Sequence, residues 1–81
     1  MSVNVQYFAR YRETLGIDSE KVEGEFPTIN ELRLHLLERD GVWQVLAEQN
    51  LMCARNQELC ALGEPLQAGD EVAFFPTVTG G

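Results

Sequence analysis

The residues of this chain whose types and order point most directly to covalent chemistry stand together in Pro76-Thr77-Val78-Thr79-Gly80-Gly81. Thr77, Val78 and Thr79 are β-branched and disfavour helix, so an extended tail is expected. Gly80 and Gly81 lack a Cβ, which lets them thread a narrow channel and lets an enzyme's backbone approach closely. The group so delivered is the Gly81 carboxylate. Brought to a buried ATP, it would attack the α-phosphate and form an acyl-adenylate, a mixed anhydride open to nucleophiles that a free carboxylate resists. Glycine makes up ~7% of residues, so a chance pair at this place arises in roughly one chain in two hundred. The pair therefore needs support from the residues before it.

Other chemistries find few residues to work with. The chain has 81 residues, one histidine (His35) and two cysteines (Cys53 and Cys60) with no C-x-x-C spacing. No standard zinc set, Ser-His-Asp triad or phosphate loop can be assembled from these, and no metal is expected. His35 reads as a solvated or locally bonded helix residue, not a metal ligand. The thiols read as reduced and packed, as suits a reducing compartment. A net charge of −7 repels nucleic acid and favours partners with basic surfaces. No apolar run reaches the ~20 residues of a membrane span, and no leader opens the chain, so a cytoplasmic protein is expected. Any reaction at Gly81 is expected to be completed by another protein.

The elements that would hold the tail read as one domain over residues 1–76, followed by an extended, flexible tail over 77–81. Val3 to Tyr7 alternates as a half-buried strand, with Phe8 placing an aromatic on the other side. Ala9 to Leu15 fits a short helix stopped by Gly16. Ser19 to Gly24, mostly charged, fits an edge strand. Thr28 and Glu31 form a capping box for a helix running to about Arg39, with Ile29, Leu32, Leu36 and Leu37 on its apolar stripe and Leu34 off it. Val42 to Glu48 reads as a second short helix packing through Trp43, Leu46 and Ala47. Residues 51–55 and 58–60 read as a hairpin turning at Asn56-Gln57, placing Arg55 opposite Glu58, Ala54 opposite Leu59 and Cys53 opposite Cys60. Glu71 to Phe75 is the last strand.

Strands on both sides of one strong helix predict an α+β fold: a mixed sheet packed on one main helix, with the first and last strands paired in parallel at its centre. Val72 and Phe74 would then join Val3, Val5 and Tyr7 under the helix. Phe8 and Phe75 would point the other way, with Leu59 extending their patch. Two adjacent exposed phenylalanines mark a docking surface unless the short helices fold over that face.

Phe8-Ala9-x-x-Arg12-Glu13-x-x-Gly16, Phe26-Pro27-Thr28, Asn56-Gln57 and Gly69-Asp70-Glu71-Val72-Ala73-Phe74-Phe75-Pro76-x-Val78-Thr79-Gly80-Gly81 stand out along the chain. Together they resemble the small, sulfur-carrier subunits of molybdopterin synthase. The resemblance runs over essentially the whole chain and implies a ubiquitin-like β-grasp fold. It further implies that Gly81 is adenylated by an activating enzyme that consumes ATP. A sulfur donor then makes it a thiocarboxylate, which gives its sulfur to cyclic pyranopterin monophosphate inside the large synthase subunit. No stably bound cofactor is implied, and the assembly implied is a dimer of heterodimers. Gly80 and Thr79 would thread the tail, and Phe8, Arg12, Leu59 and Phe75 match partner-contacting positions. Without the resemblance, Arg12 reads only as a solvated helix charge. Arg55 stands where relatives tend to carry an apolar residue. A carrier for another pathway, such as thiazole synthesis for thiamine, or a ubiquitin-like modifier of lysines, shares the fold and the Gly-Gly end.

Overall fold

The computed structural model describes residues 1–77. Among these, β1 (Ser2–Tyr7), β2 (Ser19–Glu23), β3 (Met52–Arg55), β4 (Glu58–Cys60) and β5 (Glu71–Phe75) form one mixed sheet in the order β2-β1-β5-β3-β4. β1 and β5 are parallel and every other pairing is antiparallel. The register sets Val5 beside Val72 and Tyr7 beside Phe74. A side-chain period of two therefore sends Val3, Val5, Tyr7, Val72 and Phe74 to one face, where all are buried. Across that face lies α2 (Ile29–Leu37), contributing Ile29, Leu32 and Leu36 to the same core. This is the α+β, ubiquitin-like β-grasp arrangement expected. No helix of the described residues is long and apolar enough to cross a membrane.

Local chemistry explains where the helices begin and end. The Thr28 hydroxyl accepts from the Glu31 amide at 3.4 Å, capping α2. The return bond from the Glu31 side chain is not formed among the described residues. Regular helix stops at Leu37 instead of Arg39, because the next amides tighten into three-residue turns: Glu38 donates to the His35 carbonyl, Arg39 to Leu36 and Asp40 to Leu37. The short helix α1 (Ala9–Leu15) ends at Gly16, whose φ of 77° lets its amide reach the Arg12 carbonyl.

Gly41–Ala47 departs further from expectation, forming a 3-10 helix in place of an α-helix. Three residues per turn stack Trp43 over Leu46 and rotate Ala47 away. Ala47 is accordingly exposed, while Val45 and Trp43 pack against the core around the fully buried Leu46. Arg33 fixes this element to α2, its Nε donating to the Leu46 carbonyl at 2.7 Å. Trp43 meets Tyr7 edge-on at 5.6 Å and carries the Arg39 guanidinium 4.4 Å above its ring. Arg39 in turn donates twice to Glu20, at 2.7 and 3.0 Å, and Glu20 also accepts from the buried Tyr7 hydroxyl.

The hairpin turn is held by long-range bonds. Asn56 and Gln57 both have positive φ, 49° and 73°, as a two-residue turn between twisted strands requires. The Asn56 side chain donates to Asp70 at 3.1 Å and accepts from the Glu71 amide at 2.9 Å. Arg55 donates to the same carboxylate at 2.7 Å, and the Gln67 amide does so at 2.8 Å. Asp70 is the one buried charged residue among those described. It ties the β3–β4 turn to the start of β5, so it sets where β4 sits beside the sheet.

These donors, the Arg55 guanidinium foremost, hold the Asp70 carboxyl below its ordinary value despite the opposing effect of burial. A carboxyl with a depressed folded value stabilises the fold above its unfolded value and loses that contribution as pH falls through the folded one. Asp70→Ala is therefore expected to lower stability at neutral pH by roughly 2 kcal/mol. The gap to wild type should close as pH falls below 3.8, the ordinary value for this group. Urea unfolding of both chains between neutral and strongly acid pH measures it. A gap that holds constant with pH would contradict the assignment.

Candidate functional site

The sheet face away from α2 carries the candidate site. β5 turns Glu71, Ala73 and Phe75 towards it, and the register sets Met52 beside Phe75, Ala54 beside Ala73, and Leu59 beside Ala54. From β1 come Gln6, beside Ala73, and then Phe8. Phe8 is extended, and its amide donates to the Phe74 carbonyl at 3.1 Å, prolonging the β1–β5 pairing by one residue. Ala9 then takes a φ of +54°, a left-handed conformation that costs an alanine about 1 kcal/mol or more. This abrupt turn into α1 leaves Phe8 projecting over the open face.

Phe8, Leu59 and Phe75 line one cleft of about 430 Å³ with the small side chains Ala54 and Ala73 and the polar Gln6, Gln57 and Glu71. Leu59 is 68% exposed and Phe8 44% exposed. The short helices do not cover this face: Tyr11 of α1 and Leu46 of the 3-10 helix are buried on the α2 side, in the core with Val3, Val5 and Phe74. An open apolar cleft on a chain this small is the geometry of a protein-docking surface. It sits on the strand that leads directly into the glycine tail.

Other residues singled out from the sequence lie elsewhere. Arg12 is exposed on α1, its Nε 3.7 Å from Asp18, and does not line the cleft. Thr79, Gly80 and Gly81 lie outside the described residues. Cys53 and Cys60 face each other on the α2 side with sulfurs 4.0 Å apart and are free thiols. Burial, reinforced by Cys60, pushes the Cys53 thiol up to about 12. Cys53 is thus protonated at neutral pH and no nucleophile.

Sequence reasoning missed the floor of the cleft and the root of the tail. Ala54 opposite Leu59 was legible from the hairpin pairing, but its closeness to Ala73 depends on the β3–β5 register. Pro76 is buried and Thr77 exposed, with the Thr77 hydroxyl donating to the Asn50 carbonyl. Nearby, Glu48 accepts from Arg10 at 2.7 Å and from the buried Tyr11 hydroxyl at 2.8 Å. Burial and that bond raise the Tyr11 phenol above its ordinary value, so it remains a donor. No local sequence signal marks these contacts.

Comparison with known proteins converges on one family. The profile of the ThiS family matches residues 5–81. The chain is 44% identical over 80 residues to the molybdopterin synthase sulfur carrier subunit of Escherichia coli (strain K12), covering 98% of this chain and 99% of that one. The Haemophilus influenzae protein of the same name is 41% identical over the same span. Among solved structures, SAMP1 from Haloferax volcanii superposes with a TM-score of 0.83 at 28% identity, with both chains fully covered. A complex of subunits 1 and 2 of the molybdopterin-converting factor from Helicobacter pylori matches with a TM-score of 0.70 at 27% identity, again with full coverage. With the family profile matched over residues 5–81 and 41–44% identity to named sulfur carriers over nearly its full length, this chain belongs to the ThiS family.

Proposed function

We propose that this chain carries sulfur into molybdenum cofactor biosynthesis as the small subunit of molybdopterin synthase. The observation that carries the proposal is the placement of an uncovered aromatic cleft on β5, the strand that runs into the Gly80-Gly81 tail. The full-length likeness to proteins named for this role supports it. The large subunit is the partner that reads the cleft, as the two-subunit Helicobacter pylori complex supports. Phe8, Leu59 and Phe75 anchor the contact, and Arg12, which does not line the cleft, meets the partner separately, from its place on α1.

The chemistry belongs to the tail. A Gly81 carboxylate oxygen attacks the α-phosphate of ATP held by an adenylating activating enzyme, and pyrophosphate leaves. A hydrosulfide equivalent from a sulfur donor then adds to the acyl carbon and AMP leaves, giving a thiocarboxylate. That sulfur is a stronger nucleophile than oxygen and stays covalently held until transfer. In the large subunit the sulfur attacks a side-chain carbon of cyclic pyranopterin monophosphate and displaces an oxygen substituent from it. Water then hydrolyses the acyl–sulfur bond, restoring the Gly81 carboxylate and leaving the sulfur on the pterin. Two such transfers complete the dithiolene. Gly80 and Thr79 thread the tail through each partner in turn, and the work is cytoplasmic.

Charge supports a division of labour. Arg10, Arg39 and Arg55 each lie 2.7 Å from a carboxylate of this chain, within a net charge of −7. These pairings support a reading in which the cations that a phosphate-bearing pterin needs come from the large subunit, and this chain is a cosubstrate that binds no cofactor stably.

Attachment of Gly81 to lysines of other proteins is the competing function, favoured by the likeness to an archaeal protein called SAMP1, a small archaeal modifier protein in a second structure. It predicts adducts on many cellular proteins, where sulfur carriage predicts one large-subunit partner.

Two results are expected. Deleting Gly80 and Gly81 abolishes molybdopterin formation in a reconstituted synthase while the thermal midpoint stays at the wild-type value; retained product would contradict the carrier role. Leu59→Arg weakens large-subunit binding by about thirtyfold or more, the size of an interface hot spot, again with an unchanged midpoint. Isothermal titration measures this, and unaltered affinity would remove the cleft from the interface.

A further inference from the structure

We propose that Thr77 is a positioning residue, a latch that fixes the root of the tail to the body of the carrier. The inference rests on the sulfur-carrier function proposed above and concerns how the tail is presented, a separate matter from the chemistry at Gly81.

Three observations carry it. First, the chain is held on both sides of the point where β5 ends: Phe75 still pairs with Met52, Pro76 is buried, and the Thr77 hydroxyl donates to the Asn50 carbonyl. Second, that carbonyl lies on a pinned segment. Glu48, two residues earlier, is held to α1 by the Tyr11 hydroxyl and the Arg10 guanidinium, and the next residue, Leu51, is buried in the core with its amide bonded to the Glu48 carbonyl. Third, Arg10, Tyr11, Glu48, Asn50 and Thr77 line one small pocket, so the root is built from α1, the end of the 3-10 helix and the entry to β3 together. A backbone carbonyl in such a setting accepts from whatever hydroxyl is offered. A threonine hydroxyl at 77 satisfies it, and a valine of the same shape cannot.

The latch determines where the reach of the tail is counted from. With the chain fixed through Thr77, the four residues Val78 to Gly81 extend about 14 Å beyond it at most. The point from which the tail departs is set before a partner is met, so the ordering of residue 77 is complete in the free chain. Without the latch, that ordering must occur on docking, and it opposes binding only when there is a tail to insert.

The test is a cycle of binding measurements on the large subunit. Wild type, Thr77→Val and Thr77→Ser are compared, each as the full chain and with residues 78–81 deleted. Thr77→Val is expected to weaken binding of the full chain about two- to tenfold, the worth of one hydrogen bond. Thr77→Ser should restore wild-type affinity, and the three tail-deleted chains should bind alike. Equal loss at both lengths would make Thr77 an ordinary contact. No loss at either length, or tighter binding by Thr77→Val, would overturn the latch.

If wild type fails to bind the large subunit at all, the functional proposal falls and the latch is still read in the free chain. The backbone order parameter of the Thr77 amide should stand near the rigid value of ~0.85 in wild type and Thr77→Ser, and drop towards ~0.6 in Thr77→Val. A rigid Thr77 amide in Thr77→Val would overturn the latch independently of any partner.

Discussion

Because β1 and β5 run parallel at the centre of the sheet, every other element has few places to go. A parallel pair needs a long crossover, and α2 supplies it. The shared register puts Val5 beside Val72 and Tyr7 beside Phe74 on one face, and the period of two then forces Phe75 and the extended Phe8 to the other. The core and the open aromatic face are thus two consequences of one pairing. A slip of one residue in β5 would bury Phe75 and expose Phe74, losing both together.

The same alternation explains how so small a chain keeps an apolar cleft without losing its fold. The apolar stripe of α2, Tyr11 and the 3-10 helix all close on one side, and the Tyr7-Glu20-Arg39-Trp43 cluster seals the edge of that layer. The core is thereby confined to one face, and the other is left open for the proposed docking. The Asp70 clamp links the two faces. It holds the turn between β3 and β4 to the start of β5, so Leu59 reaches the cleft that Phe8 and Phe75 also line.

Much of this was written in strong periodic signals. β1, β5 and α2, the parallel centre, the hairpin register and the two-faced division of aromatics all follow from periods of 2 and 3.6 and from a two-residue turn. What was not legible depends on partners far apart in the chain or on a change of helical period. Tyr11 reads as one residue of a polar helix until Glu48, 37 positions away, takes its hydroxyl. Arg55, standing where relatives tend to carry an apolar residue, shows its partner only once Asp70, 15 positions on, is folded against it. Ala47 fits an α-helical stripe and falls off a three-residue one. Thr77 carries no mark of its contact with Asn50. Arg12 gained its suspected role from resemblance alone, and it stands apart from the cleft.

In the function proposed, this fold presents a carboxylate that becomes a thiocarboxylate. Intact mass spectrometry of the purified chain, after incubation with its activating enzyme, ATP and a sulfur source, tests it most directly. A gain equal to replacing one oxygen by sulfur is predicted, and it should be absent when Gly81 is deleted. An unchanged mass, with the same enzyme competent on another carrier, would contradict the account and leave the chain as a docking module whose tail plays no part in sulfur chemistry.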